Sequence, residues 1–148
     1  MANKSVERFR LLAADLQKQV LADAISELNQ QAEDLRKSIE DVAPVYQGPP
    51  IRGVVPGALK HTVSVVPDRS KATVVRIVAG GYQTVRSSLN AKPFDYARAD
   101  EFGTQKMAAQ PFFFPTYRLM KKKIIAKMKR RLAARIKQYS AEDKGSTA

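Results

Sequence analysis

The first quarter of the sequence carries one apolar stripe, and its length restricts how the chain can fold. Between residues 4 and 42 apolar side chains recur at steps of three, four or seven, the period of an α-helix with one buried face: Val6, Phe9, Ala13, Leu16, Val20, Ala24, Leu28, Leu35, Ile39 and Val42. Pro44 ends the helix, because its ring clashes with the preceding turn and it lacks a backbone N–H. Such a stripe needs a partner along its whole length, either the rest of the domain or another subunit.

A second long helix is predicted from Phe112 to Tyr139. Pro111 and Pro115 suit its approach and its first turn. Its stripe consists of apolar residues at helical spacing, with two more beside it: Tyr117, Met120, Ile124, Met128, Leu132 and Ile136, flanked by Ile125 and Tyr139. Residues 140–148 are predicted to be a frayed tail.

Between the helices, a Pro/Gly-rich loop and a hairpin are predicted. Residues 43–58 hold prolines and glycines that forbid a regular element, which leaves either an interaction loop or a plain connector. Residues 59–67 alternate like a half-buried strand, with Val63 and Val65 on one face. Residues 72–79 form a second β-branched strand, which pairs with the first through a turn at Asp68-Arg69-Ser70.

Residues 80–102 carry weaker signals. Gly80-Gly81 end the second strand, and residues 82–93 are polar and are predicted to be another loop. Residues 94–102 fit either a short strand or a helical turn. Two long helices that flank a small antiparallel sheet define an α+β fold, and the length predicts one domain over residues 1–148.

The charge balance restricts the partners. The chain has 26 Lys and Arg against 14 Asp and Glu, a net charge of +12, which favours nucleic acid, an acidic protein surface or anionic lipid. Cysteine is absent, so disulfides and thiolate metal sites are excluded. No apolar run reaches the length of a membrane span and no signal-peptide core follows Met1, so we expect a soluble cytoplasmic product without membrane contact.

The second helix is strongly basic and has no acid between Arg118 and Lys137. Such a helix binds phosphates without reading bases, because each neutralised phosphate releases counterions. It also suits an anionic membrane, the acid-bearing face of the first helix in another subunit, or plain solvation. The candidate contacts to a DNA channel or an acidic partner are Lys121, Lys122, Lys123, Lys127, Lys129, Arg130, Arg131 and Arg135.

No catalytic constellation is found in the sequence. His61 is the only histidine, and it lies in a predicted strand without a nearby cluster of acids. Glu101 is a carboxylate suited to capping a turn or pairing with a base. The glycine pair lacks the Lys-Ser/Thr of a phosphate loop, and neither a nucleophile elbow nor HExxH occurs. We expect no enzyme activity, no metal and no cofactor.

The segment from Tyr96 to Pro115 is the most specific part of the chain. Gly103 is predicted to supply a backbone conformation that a side chain forbids, with Phe102 and Met107 anchoring the turn in the core. Gln110 is expected to hydrogen-bond a backbone group where Pro111 removes a donor. At most two of Phe112, Phe113 and Phe114 can face one core, so at least one of them is expected on a surface or in a subunit contact.

The same segment resembles the signature of a tailed-bacteriophage family of tail components and neck or tail-completion proteins. The residues that carry the resemblance are Tyr96, Ala97, Glu101, Phe102, Gly103, Thr104, Met107, Ala109, Gln110, Pro111, Phe112 and Pro115. The order of elements is also similar, with a long helix, an Ala-Pro loop, a Gly57-Ala58-Leu59-Lys60 step and a C-terminal helix. The resemblance covers residues 5–138.

The resemblance implies a structural virion protein, made in the host cytoplasm and located in the neck between head and tail. It implies a ring around a DNA channel, closed by heterologous contacts, with six subunits favoured over twelve. The implied partners are other neck, connector and tail-terminator or tail-tube proteins, with transient contact to genomic DNA. The alternative that charge alone allows is a sequence-nonspecific nucleic-acid-binding protein that uses the basic second helix.

Overall fold

The first helix, α1, has the predicted bounds. The computed structural model describes residues 4–48, 55–88 and 91–145, and α1 spans Lys4–Val42 over 39 residues. Only its C-terminal half enters the core, where Leu35 and Ile39 are buried. The helix stops before Pro44, as predicted.

A short helix, α2, spans Ala58–Thr62 and replaces the first half of the predicted strand 59–67. Gly57 precedes it with a φ of 79°, and both Leu59 and Val63 are buried. The strand prediction was wrong for residues 59–62, because a spacing of four between Leu59 and Val63 is a helical period. His61 is therefore an exposed residue of α2.

The described parts of the predicted loop 43–58 form no regular element before Ala58, and residues 49–54 lie outside the described residues. Beyond α2 the predicted hairpin is confirmed, but its second strand is shorter than the predicted 72–79, because residues 72 and 73 still belong to the turn. Strand β1 spans Ser64–Pro67 and pairs antiparallel with β2, Val75–Val78, with Val65 opposite Ile77. The turn is held by the Asp68 carboxylate, which accepts the backbone N–H of Ser70 at 2.9 Å.

A second hairpin corrects the prediction of a loop over residues 82–93. Strand β3 spans Val85–Ser88 and pairs antiparallel with β4, Ala91–Asp95; residues 89 and 90 lie outside the described residues. The hairpin lies at the surface and most of its residues are polar or exposed, so apolar periodicity in the sequence does not reveal it. Residues 94–102 contain both of the predicted alternatives, a short strand and a helical turn, because β4 runs directly into helix α3, Tyr96–Phe102.

The last helix, α4, spans Phe113–Gly145 over 33 residues and packs along α1. The predicted frayed tail was wrong for residues 140–145, which continue the helix because no proline or glycine occurs between Tyr139 and Gly145. Residues 146–148 lie outside the described residues. The buried core consists of Leu35, Ile39, Ala43, Leu59, Val63, Ala97 and Phe112, and Phe113, Met120 and Ile124 of α4 pack against it. With two small antiparallel sheets between long helices, the fold is α+β.

Candidate functional site

The signature segment forms the junction between α3 and α4, and Glu101 is its centre. Glu101 is only 8% exposed. Its carboxylate accepts the backbone N–H groups of Phe112 at 2.9 Å, Phe113 at 2.9 Å and Phe114 at 3.0 Å. The first N–H groups of a helix have no partner within the helix and carry the positive end of its dipole. Glu101 therefore caps α4 from the neighbouring helix.

Gly103 turns the chain so that this cap can form. It ends α3 with a φ of 75°, and its N–H donates to the Ala99 carbonyl at 2.7 Å. A Cβ here would lie 2.9 Å from the backbone nitrogen of Ala109, so the prediction that a side chain is forbidden is confirmed. The backbone N–H of Gln110 donates to the Asp100 carbonyl at 2.7 Å and closes the turn.

Thr104 and Met107 complete the turn. The Thr104 N–H donates to the Met107 carbonyl at 2.9 Å, and the Thr104 hydroxyl accepts the Lys106 N–H at 3.2 Å. Pro115 lies in the first turn of α4, and Gln110 and Pro111 are exposed just before it. The signature residues thus shape one bend.

The aromatic residues of the junction divide between core and surface. Phe112 is buried, whereas Phe114 is 43% exposed, which confirms that the three phenylalanines do not share one core. The predicted core anchors were wrong: Phe102 is 64% and Met107 is 39% exposed. Because Glu101 takes the inward position at the end of α3, Phe102 faces outward, where its ring lies 5.9 Å from that of Phe114.

Tyr96 and Asp100 line a cavity of about 570 Å³ beside this junction. Tyr96 is half-buried with the Arg86 guanidinium 5.4 Å from its ring centre, and burial raises the pKa of its hydroxyl. Burial also raises the pKa of Asp100. No histidine and no second acid are among the described residues that line this cavity.

Three bases of the candidate set pair with acids of α1 in the same chain. The pairs, called here the α1–α4 ladder, are Lys127 Nζ with Asp34 Oδ2 at 3.2 Å, Arg131 Nε with Glu27 Oε2 at 3.7 Å, and Arg135 Nε with Asp23 Oδ2 at 2.8 Å. The Tyr139 hydroxyl donates to Asp23 at 3.1 Å. The acid-bearing face of the first helix thus contacts the basic helix of the same chain.

The ladder was missed although the sequence contains a signal for it. The bases recur every four residues on α4, and their acids share one face of α1 in reverse order. The Arg135 hydrogen bond is the largest cause that lowers the pKa of Asp23, and the Tyr139 hydroxyl adds to it. Asp23 is therefore held as a carboxylate where α4 meets the middle of α1.

Among the remaining candidate bases, Lys122, Lys123, Lys129 and Arg130 are exposed, and so are Arg118 and Lys137 of the same helix. Arg118, Lys122 and Lys129 follow one edge of α4, while Lys123, Arg130 and Lys137 recur every seven residues beside them. These six residues, called here the outer basic face, are exposed and form no ion pair with an acid of the described residues. Lys121 lies at the margin, with its Nζ 5.8 Å from the Tyr117 ring centre.

The first residues of α1 form an uncovered surface. The segment from Lys4 to Lys18 is called here the N-terminal arm. Every side chain described in this segment is exposed, and partial burial begins at Gln19. The arm carries apolar residues on one side, and Phe9 is 71% exposed. The stripe therefore has its partner, α4, only over the C-terminal part of α1.

Comparison with known proteins identifies no relative: no family model, no curated protein and no solved structure matches this chain. Within the described residues, no group of three or more His, Cys, Asp or Glu is placed to hold a metal ion. Nor is any helix in those ranges long and apolar enough to cross a bilayer.

Proposed function

We propose that this chain is a structural subunit of the neck of a tailed-phage virion, where copies form a ring that joins the DNA-filled head to the tail. The observation that carries the proposal is the N-terminal arm, whose apolar side no described residue covers. Exposed apolar surface of this extent is typical of a protein–protein contact. A chain built this way suits a subunit of an assembly better than a free enzyme.

The signature residues support the same proposal through what they do. The bend that places α4 against α1 is formed by Glu101, Gly103 and Phe112, so the motif specifies a backbone geometry. The outer basic face suits the wall of a DNA channel, because it is positive and can track phosphates without reading bases. Six subunits remain the favoured number, with neighbouring connector and tail proteins as partners.

The test removes the chain from a phage that encodes it. We expect DNA-filled heads and complete tails to accumulate separately in electron micrographs, and a plasmid copy of the gene to restore joining. Native mass spectrometry of the purified chain should show a closed ring. Complete infectious particles made without the chain, or a strictly monomeric chain that turns over a small molecule, would contradict the neck role.

A second candidate, sequence-nonspecific nucleic-acid binding by a free protein, is favoured by the outer basic face alone. If its six bases each neutralise a phosphate, the logarithm of the binding constant for a duplex should fall with the logarithm of salt at a slope of about −5. Tight binding by a small species with this slope favours a free DNA-binding protein, whereas weak binding by a self-associated species favours the neck subunit.

The bases responsible are identified by a matched pair of variants. Replacing Arg118, Lys122 and Lys129 with Glu should flatten the salt slope by about 3, since each lost phosphate contact removes about one. The control replaces Lys4, Arg8 and Arg10 of the N-terminal arm with Glu and changes the net charge equally. Equal effects would show that total charge, and not the outer basic face, governs binding.

A further inference from the structure

A groove beside the C-terminal half of α1, away from the N-terminal arm, has no occupant among the described residues. Leu28 and Leu35 of α1 form its floor, Ile77 of β2 forms one wall, and Phe114, Tyr117 and Ile125 of α4 form the other. Its volume is about 390 Å³. The α4 wall is made of large apolar side chains that remain substantially exposed, which is costly in water unless another surface covers them.

The N-terminal arm matches this groove in length and chemistry. Phe9 and Leu16 lie seven residues apart on α1, and so do Leu28 and Leu35 on the groove floor, a distance of about 10 Å in each case. Two turns of an arm can therefore lie along two turns of the floor. An apolar helix side placed in an apolar groove, with anchors at helical spacing, is a common mode of recognition.

The arm cannot reach the groove of its own chain. α1 is one continuous helix from Lys4 to Val42, so Leu12 at the middle of the arm lies about 28 Å from Gln31 beside the groove. Folding back would require the helix to break between them, where no proline or glycine occurs. The arm and the groove can meet only between two molecules.

We propose that the N-terminal arm of one copy lies in the groove of the next copy. Every chain carries one of each surface, so each copy gives an arm and receives an arm. This contact is heterologous and closes into a ring where the rotation between copies allows it. The inference rests on the proposed function only in that the assembly is a ring.

The estimated buried area favours a closed ring over an isolated pair. Taking about 100 Å² for each aliphatic anchor and about 150 Å² for a phenylalanine, Val6, Phe9, Leu12 and Leu16 together bury about 450 Å². Each copy makes two such contacts, one through its arm and one through its groove. Each contact therefore buries about half of the roughly 800 Å² per partner of a stable isolated pair, so one contact alone is weak and the assembly depends on ring closure, in which the two contacts of every copy act together.

Cysteine pairs test the contact directly, because the chain contains no cysteine. We expect the Phe9→Cys, Ile125→Cys double variant to give a ladder of covalent oligomers under oxidation or with a short bismaleimide. The matched control is Leu11→Cys with Ile125→Cys: Leu11 is 69% exposed, close to the 71% of Phe9, but lies on the opposite side of the helix. Equal ladders from both pairs, or dimers from Phe9→Cys alone, would overturn the proposal.

A second pair of variants separates this inference from the neck role. Phe9→Asp should reduce the assembly to monomers in native mass spectrometry while Leu11→Asp leaves it intact, with circular dichroism confirming that both stay folded. A ring that persists in Phe9→Asp refutes the arm-in-groove contact and leaves the neck role standing. A ring that needs Phe9, in a phage whose particles are complete without the chain, refutes the neck role and leaves the contact standing.

Discussion

At the scale of single residues, Glu101 shows how a buried charge becomes part of a bend. A carboxylate removed from water is costly unless hydrogen-bond donors replace the lost hydration. Three backbone N–H groups at the start of α4 do so here, and bonds to a charged acceptor are stronger than neutral ones. The angle between α3 and α4 therefore depends on this one side chain.

Replacing Glu101 tests this dependence. Glu101→Ala should lower the free energy of unfolding by about 3 kcal/mol or more, because it leaves buried donors without an acceptor. Glu101→Gln keeps one oxygen and should lower it by about 1–2 kcal/mol. Urea unfolding provides the measurement, and the exposed Glu7→Ala should stay within about 0.5 kcal/mol. The capping role is wrong if all three variants unfold alike.

Two glycines with similar backbone angles separate strain from crowding. Gly57 has a φ of +79° with no atom of the described residues within 4 Å of an added Cβ, whereas Gly103 has a φ of +75° with the Ala109 backbone nitrogen at 2.9 Å. Gly57→Ala should cost about 1 kcal/mol from left-handed strain alone. Gly103→Ala should cost at least about 1 kcal/mol more, because backbone must also move. Equal melting temperatures for the two variants would contradict the close approach.

At the scale of elements, the α1–α4 ladder decides how the two long helices lie against each other. Met120 and Ile124 of the α4 stripe pack against the core that α1 helps to form, but such a stripe tolerates sliding by a turn. The ladder does not exclude such a slide, because its bases recur every four residues and a shift of one turn would set each acid opposite the next base, with only the Tyr139 contact of Asp23 lost. Exposed ion pairs add little stability, so we assign the ladder chiefly to selecting the side of α4 that faces α1.

Asp23 makes the ladder sensitive to acid. Hydrogen bonding from Arg135 lowers its pKa below the ordinary 3.8. A lowered carboxyl pKa stabilises the fold above the unfolded-state pKa, and this contribution is lost as the pH falls from about 4 through the folded-state pKa. Asp23→Asn should therefore lower the melting temperature near neutral pH and lose that difference at strongly acidic pH.

The control for this prediction is Asp15→Asn. Asp15 lies on the N-terminal arm and accepts a hydrogen bond from Gln19 at 2.6 Å, with no basic partner among the described residues. Its substitution should change the melting temperature little at any pH. A difference for Asp23→Asn that does not shrink in acid would show that its charge is not the cause.

Some elements were predictable from the sequence, for a physical reason. α1 and α4 carry long stripes of one period, so their existence follows from where apolar residues recur. β3 and β4 lie at the surface and bury little, so no such period marks them. For Glu101 the sequence indicated only a general role in capping a turn or pairing with a base. Its partners in the structure are backbone N–H groups 11 to 13 residues further along the chain, which come close only because the chain turns at Gly103.

At the scale of the whole molecule, charge and apolar surface are sorted onto different sides. Acids of α1 neutralise the inward bases of α4 and leave the outer basic face positive. The N-terminal arm and the groove lie about 28 Å apart along α1. A chain with such separated surfaces can meet an acidic partner and its own copies at the same time.

The unbroken length of α1 gives the molecule a lever. Lys4 at the tip lies about 28 Å from Asp23, where the helix is clamped against α4. A tilt of about 10° at that clamp swings the tip by roughly 5 Å, close to one helical pitch. In an assembly joined through the N-terminal arm, the angle between α1 and α4 at the Asp23–Arg135 ion pair would set the diameter of the central channel. Loosening this ion pair would therefore change that diameter before it changed the affinity between copies.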